Sequence, residues 1–218
     1  VYEAIEDAGI RLEDLQKCTT GVFLGVMNLE YGTLIVHPSN YNNIDQFSST
    51  GITASILANR ISFCLNLTGP SIAVDTACSS SLTALKLACD HLRNGDCDIA
   101  IVCAPNIILS HAMQIVSSMA GLLAPDGCCK SFDASGDGYG RGEGFAAIVL
   151  KLSGAALNDK DDAYCEIIGC GMDNDGHNAV PMTAPSAKTQ AELFKMVLDQ
   201  AGLNPAEVDY LETHGTGT

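Results

Sequence analysis

Residues 74–82 read Val74-Asp75-Thr76-Ala77-Cys78-Ser79-Ser80-Ser81-Leu82, a stretch in which an apolar run stops, a cysteine follows among small residues, and a helical pattern begins. Upstream, Ser71 to Asp75 predicts a brief strand. Downstream, Leu82, Leu85, Cys89 and Leu92 recur at helical spacing between Ser79 and Asn94, and Gly95 ends the helix. Cys78 therefore falls between the end of a buried strand and a helix N-terminus. Partial positive charge and free N–H groups at such a place favour a thiolate, and also an oxyanion built on an attached acyl group. Small neighbours leave room for a thioester. On local composition alone, the same residue reads as a small core cysteine like its nine companions.

The pattern extends on both sides. A helix from Tyr2 to Ala8 stops at Gly9, and Thr20 to Val26 reads as a short buried strand. Leu29 to Ser49 has little periodicity and is expected to be a long polar loop, after which Ser49 or Thr50 caps a helix carrying Ile52, Ile56, Leu57 and Phe63. Asn66 to Pro70 turns the chain. Past Gly95, Ile99 to Ala104 is a buried strand, Ala112 to Ala120 a helix and Pro125-Asp126-Gly127 a turn, and the stretch from Gly136 to Gly144 feeds a strand from Phe145 to Leu152. Tyr164 to Met172 is a further strand. A Pro-containing loop follows, and Ser186 caps a helix with Leu193, Phe194, Val197, Leu198 and Ala201 that Gly202 closes. A last strand, Tyr210 to Thr213, delivers His214. Buried strands alternating with amphipathic helices specify a layered α/β fold, with helices over a mainly buried sheet.

Composition narrows the function. The 218 residues carry a formal net charge of −15 with no cluster of Lys or Arg, which argues against duplex nucleic acid and against an anionic membrane as partners. No apolar run reaches the ~18 residues of a membrane span, and no charged-then-apolar leader opens the chain, so a soluble, cytoplasmic protein is expected. At 47% hydrophobic and 17% charged, the chain is apolar enough to predict a subunit or domain interface. Val1 to Ala8 reads as the middle of a helix, which predicts an upstream part. The ten cysteines lie in apolar runs without a Cys-x-x-Cys pair. Neither Cys128-Cys129 nor Cys165 with Cys170 has His partners at zinc-site spacing, so no metal site is expected.

A second chemical signal closes the chain. His214-Gly215-Thr216-Gly217-Thr218 sets an imidazole at a strand end, followed by glycines that let backbone approach a ligand and by two hydroxyls, Thr216 and Thr218, that can hydrogen-bond it. The Gly136 to Gly144 stretch precedes a strand instead of joining strand to helix, which disfavours a phosphate loop. Asp133, Ser135 and Asp137 imitate a calcium loop, yet its twelfth position is Gly144 and flanking helices are lacking. Asp133, Arg141 and Glu143 read as support for this turn, pairing with one another or with backbone N–H groups. Met113 and Met119 read either as the lining of an acyl channel or as core filling.

Together these motifs resemble the β-ketoacyl synthase family, with wording nearest the ketosynthase domains of polyketide synthases. The resemblance runs through residues 2–9 (Tyr2 to Gly9), Asn59-Arg60-Ile61-Ser62, Thr68-Gly69-Pro70-Ser71, the Cys78 segment, Leu123-Ala124-Pro125-Asp126-Gly127, Phe132-Asp133-Ala134, Tyr139-Gly140-Arg141-Gly142-Glu143-Gly144 and the His214 segment. It implies a thiolase-like layered αβαβα fold, incomplete here, with residues 1–152 supplying most of the first half and residues 153–218 the start of the second. By the same resemblance the nucleophile falls on Cys78 and the first of two catalytic histidines on His214, the second lying in a Lys-Ser-Asn-x-Gly-His motif beyond Thr218. Cys78 would take an acyl group from the phosphopantetheine arm of an acyl carrier protein. A malonyl-type extender would then decarboxylate to an enolate stabilised by the imidazoles and attack the thioester, with Thr216 and Thr218 holding the pantetheine arm. A homodimer and neighbouring polyketide synthase domains are implied, with no directly bound cofactor or metal, and with no condensing activity in the 218 residues by themselves.

Two other readings stand beside this one. The ketosynthase of an animal-type fatty acid synthase shares the Cys and His motifs, but cysteine and serine usually replace the glycines that stand here as Gly140 and Gly142. A non-catalytic chain-length-factor-like partner shares the fold but replaces the cysteine, and retention of Cys78 and His214 counts against it. The acidic net charge conflicts with an acidic carrier protein unless a local basic patch receives it.

Overall fold

In the computed structural model, which describes residues 1–179, 181 and 183–218, four strands form one sheet. They are β1 (Thr20–Gly25), β2 (Ser71–Val74), β3 (Ile99–Asn106) and β4 (Gly144–Lys151), in the order β2-β1-β3-β4. β1 lies parallel to both β2 and β3, with Val22 opposite Ser71 on one side and Ile101 on the other, and β4 runs antiparallel to β3. The helices are α1 (Tyr2–Asp7), α2 (Leu12–Leu15), α3 (Glu30–Ile35), α4 (Ser48–Ile52), α5 (Ala54–Leu65), α6 (Ser80–Asn94), α7 (Ala112–Met119), α8 (Ser153–Asp159) and α9 (Ala187–Ala201).

β1 is buried along its whole length because both of its faces are covered. Successive side chains point to opposite faces of a strand. Val22 and Leu24 therefore join Ile99, Ile101 and Cys103 of β3 in one cluster with Ile5, Leu15 and Ala58 of α1, α2 and α5. Phe23, Ala100 and Val102 meet Ala84, Ala88 and Leu92 of α6 on the other face. The result is a helix–sheet–helix sandwich, one αβα unit of the expected layered fold. Phe23, Leu15, Ile101 and Val22 are fully buried, each contributing about 1.5–3 kcal/mol. The alanines facing Phe23 keep α6 close to the sheet.

Several expected boundaries hold, and their chemistry is visible. Gly95 and Gly202 end α6 and α9 in the left-handed region at φ 77° and 68°, and Ser186 Oγ accepts the Thr189 N–H at 3.2 Å. β3 outruns its expected end at Ala104 and passes through Pro105, which is tolerated because the ladder with β1 stops at Cys103.

Other expectations fail for identifiable reasons. The supposed loop from Leu29 to Ser49 contains α3, a 3-10 turn over Pro38–Asn43 and the first residues of α4. Local polar bonds that leave no apolar period hold it: the Asn40 amide donates to the Leu34 carbonyl at 2.7 Å, and Asp45 Oδ1 accepts the Phe47 N–H at 2.9 Å. The single helix expected after Ser49 or Thr50 is two helices, broken at an extended Thr53, and Phe63 is exposed. Leu82 is also exposed; the buried face of α6 is rotated to Ser80, Thr83, Ala84, Ala88, Cys89 and Leu92. Neither Tyr164–Met172 nor Tyr210–Thr213 forms a ladder, since no strand lies beside either among the described residues. The first packs on α9 instead: a Cβ at Gly169 would stand 2.9 Å from the Val197 carbonyl oxygen, and one at Gly171 2.7 Å from Val197 Cγ2. Residues 180 and 182 of the expected Pro-containing loop lie outside the described residues.

Candidate functional site

β2 ends at Val74, at the carboxyl edge of the parallel strands, where open α/β sheets place their ligands. The chain then reverses into the 15-residue helix α6 through a turn that is bonded more heavily than its length requires. Asp75 Oδ1 accepts the Ala77 N–H at 2.9 Å. Ser80 Oγ accepts the Thr76 N–H at 2.9 Å and donates to the Ala77 carbonyl at 2.6 Å. Ser79 Oγ donates to the Thr76 carbonyl at 2.8 Å, and the hydroxyls of Thr76 and Thr83 lie 2.9 Å apart. These bonds hold Ala77 at φ 56°, a left-handed conformation that costs a residue with a Cβ about 1–2 kcal/mol.

The strained turn presents Cys78 as an exposed free thiol immediately before Ser79, the N-cap of α6. The first N–H groups of a helix lack intrahelical partners, and here those of Ser79 and Ser80 are taken by the turn, donating to the Thr76 and Ala77 carbonyls at 3.4 and 3.1 Å. Close approach of α6 to the sheet depends on Gly25 at the end of β1, where a Cβ would stand 2.4 Å from the Ser80 carbonyl carbon and oxygen. By contrast, burial pushes the Cys89 and Cys103 thiols up to about 11, which keeps them protonated and inert at neutral pH.

His214 is exposed on the final segment, which lies against residues 130–138. Ser131 Oγ donates to the Gly215 carbonyl, and the Gly138 N–H donates to the Gly217 carbonyl at 3.2 Å. The approach is tight: a Cβ on Gly136 would stand 2.8 Å from the Gly217 oxygen, and one on Gly217 2.9 Å from the Lys130 nitrogen. Lys130 Nζ bridges Asp126 at 2.9 Å and Asp137 at 2.6 Å, and these partners push it up to about 12. The Thr216 and Thr218 hydroxyls lie 2.8 Å apart. The structure thus brings His214, Thr216 and Thr218 onto one docked segment. Among the described residues, none of them hydrogen-bonds Cys78.

In the Gly-rich loop Asp133 and Glu143 take backbone N–H groups as expected, whereas Arg141 pairs outside the loop, with Glu30. Glu143 Oε1 accepts the Ile108 N–H at 2.6 Å, and Asp133 Oδ1 accepts the Ser135 N–H at 2.8 Å. Arg141 Nη2 donates to Glu30 at 2.9 Å, a pair buried on both sides, and Glu30 Oε2 also accepts the N–H groups of Leu109 and Ser110 at 2.8 and 2.7 Å. Burial raises a carboxyl, but Arg141 and the two backbone donors outweigh it and hold Glu30 below its usual value. Glu30, Ser80, Ser131 and Ala77 escaped sequence reasoning. For Gly25 a signal existed, since an isolated Gly inside a strand marks a close backbone approach.

The layered sheet, with an exposed cysteine in the turn from strand to helix and a docked His-Gly-Thr-Gly-Thr segment, fits the thiolase-like fold. Residues 1–156 match the N-terminal domain of β-ketoacyl synthases and residues 164–218 the C-terminal domain, and the chain belongs to this family. It is 43% identical over 217 residues to a phenolphthiocerol/phthiocerol polyketide synthase of Mycobacterium tuberculosis, and 43% identical over 217 residues to a highly reducing polyketide synthase of Cryptosporiopsis sp.. All of this chain is matched in both cases, against 11% and 9% of those proteins. Among solved structures, the ketosynthase from module 6 of the bacillaene synthase of Bacillus subtilis superposes with a TM-score of 0.89 at 40% identity. An oxazolomycin ketosynthase domain of Streptomyces albus superposes with 0.92 at 36%. The whole of this chain is covered, and 36% and 38% of theirs.

Proposed function

We propose that these residues are the part of a polyketide synthase ketosynthase that carries the nucleophile and the first catalytic histidine. Cys78 sulfur attacks the thioester carbonyl of an acyl chain on a carrier protein and expels the phosphopantetheine thiol. A malonyl-type extender, also on a carrier protein, loses carbon dioxide. The electron pair left behind is held as an enolate whose oxygen accepts a hydrogen bond from His214. The carbanion then attacks the Cys78 thioester, forms the carbon–carbon bond and releases the thiolate. Thr216 and Thr218 offer the pantetheine arm their hydroxyls. The observation that carries this reading is an exposed cysteine on a strained, heavily bonded turn at the head of α6.

The retained Cys78 supports this reading over a non-catalytic partner. Residues Tyr139 to Glu143, with glycine at 140 and 142, support the polyketide branch over the fatty acid one. On the same reading residues 1–152 are most of the first half of the fold and 153–218 the start of the second, and the enzyme works in the cytoplasm. It works as a homodimer with an acyl carrier protein and neighbouring synthase domains as partners, and it binds no cofactor of its own. The 218 residues alone do not condense, because the motif Lys-Ser-Asn-x-Gly-His is absent from them and a constellation that acts as a unit loses orders of magnitude when one member is missing. The test is intact-protein mass spectrometry on the native protein. Cys78→Ala abolishes acyl loading and leaves the fold, while His214→Ala loads but condenses ~10²-fold more slowly. Loading that survives Cys78→Ala would sink the assignment.

A further inference from the structure

His214 itself makes no side-chain hydrogen bond among the described residues, so its orientation comes from the backbone that follows it. That backbone turns twice through the left-handed region, at Gly215 (φ 52°) and Gly217 (φ 73°). Such a segment has no intrinsic preference for one path, because glycine enters either half of the Ramachandran map with little cost. Its path is fixed from outside, by segment 130–138. Two bonds do this: one from the Gly138 N–H to the Gly217 carbonyl, the other from the Ser131 hydroxyl to the carbonyl of Gly215, one residue beyond His214. Of the two, only Ser131 acts through a side chain, and it stands nearer the imidazole in the chain.

Ser131 is itself held. Lys130 reaches back to Asp126 and forward to Asp137, closing residues 126–137 around one ammonium group. The Asp133 N–H donates to the Lys130 carbonyl at 3.2 Å, so Ser131 projects from a tight, internally bonded loop.

We propose that Ser131 is a positioning residue for His214, acting through the Gly215 carbonyl and not on substrate. This rests on the reading of His214 as the group that stabilises the enolate. Removing the hydroxyl frees the peptide next to the imidazole, and misplacement of a catalytic group by about 1 Å costs up to ~10²-fold in rate. Loading of Cys78 does not use His214 and is not expected to change.

The experiment is made on the intact synthase. Acyl loading of Cys78 and condensation with the carrier-bound extender are measured separately, with kcat and KM for the extender. Ser131→Ala is expected to lower the kcat of condensation by about 10- to 100-fold, with loading and extender KM within twofold, and Ser131→Thr to restore most of the rate. Ser131→Cys keeps the size and weakens the donor; it is expected to show the same split in smaller measure, and it replaces the alanine variant should that fail to fold. Equal loss of loading and condensation together with a lowered Tm, or condensation at the wild-type rate, overturns the positioning role. A wild-type protein that loads Cys78 and never condenses overturns the proposed function instead.

Discussion

Gly25→Ala is a single methyl group, placed where β1 and α6 meet. The added Cβ would stand 2.4 Å from the carbonyl carbon and oxygen of Ser80 and 2.6 Å from the Ser81 nitrogen. All three are backbone atoms, so no flexible side chain can swing aside. Contacts of this kind settle near about 3.5 Å, and 3.5 minus 2.4 asks the head of α6 to retreat by about 1 Å. The strain costs about 1–3 kcal/mol of stability. The functional cost is larger, because the retreating turn carries Cys78, and a 1 Å misplacement corresponds to ~10²-fold in rate. Acyl loading of Cys78, followed by mass spectrometry of the intact protein, is expected to slow by that order while circular dichroism shows the fold retained. Gly154→Ala in α8, where a Cβ meets nothing within 4 Å, is the control and is expected to be neutral. Loading of Gly25→Ala at the wild-type rate would refute the claim that the approach of α6 to β1 sets the position of Cys78.

Two further outcomes follow from burial and charge. Brief iodoacetamide treatment at pH 7.5 is expected to modify Cys78 ahead of the other nine cysteines and to spare Cys89 and Cys103, whose thiols burial has pushed up to about 11; peptide mapping that finds another cysteine alkylated first, with Cys78 unmodified, contradicts the site. Glu30→Gln leaves the buried Arg141 without its counter-charge and is expected to destabilise the protein by about 3–5 kcal/mol at neutral pH. Because the folded-state value of Glu30 is lowered, its contribution is complete above the usual carboxylate range and lost as pH falls through the lowered value, so the gap between wild type and variant narrows on acidification. Urea melts at pH 7 and pH 4 measure this, and a gap that widens at pH 4 reverses the sign assigned here.

The elements legible in the sequence are those whose burial leaves a period. β1, β3, α6 and α9 announce themselves because both faces of a strand, or one stripe of a helix, must be apolar to be covered. Cys78 and the final His-Gly-Thr-Gly-Thr segment stand out through their resemblance to β-ketoacyl synthase motifs, since on local composition alone Cys78 reads as a core cysteine. What escaped is held by hydrogen bonds that carry no period. α3 rests on Glu30, whose partners lie 79 to 111 residues away. The strain at Ala77 has no glycine to advertise it, and Ser131 looks like any exposed serine until Gly215 is beside it. The expected strands at Tyr164–Met172 and Tyr210–Thr213 failed for the opposite reason: the apolar content is there, but no neighbouring ladder is present among the described residues.

The bonds that shape the Cys78 turn all join residues no more than seven positions apart, whereas Ser131 reaches across 84 residues to Gly215 and Arg141 across 111 to Glu30. Chain closure costs entropy that grows with separation, and a chain leaving the ribosome presents its N-terminal part first. During synthesis the cysteine's turn can therefore close as soon as α6 emerges, well before His214 has been made. Between those two moments the nascent chain displays the Cys78 thiol without the segment that carries His214.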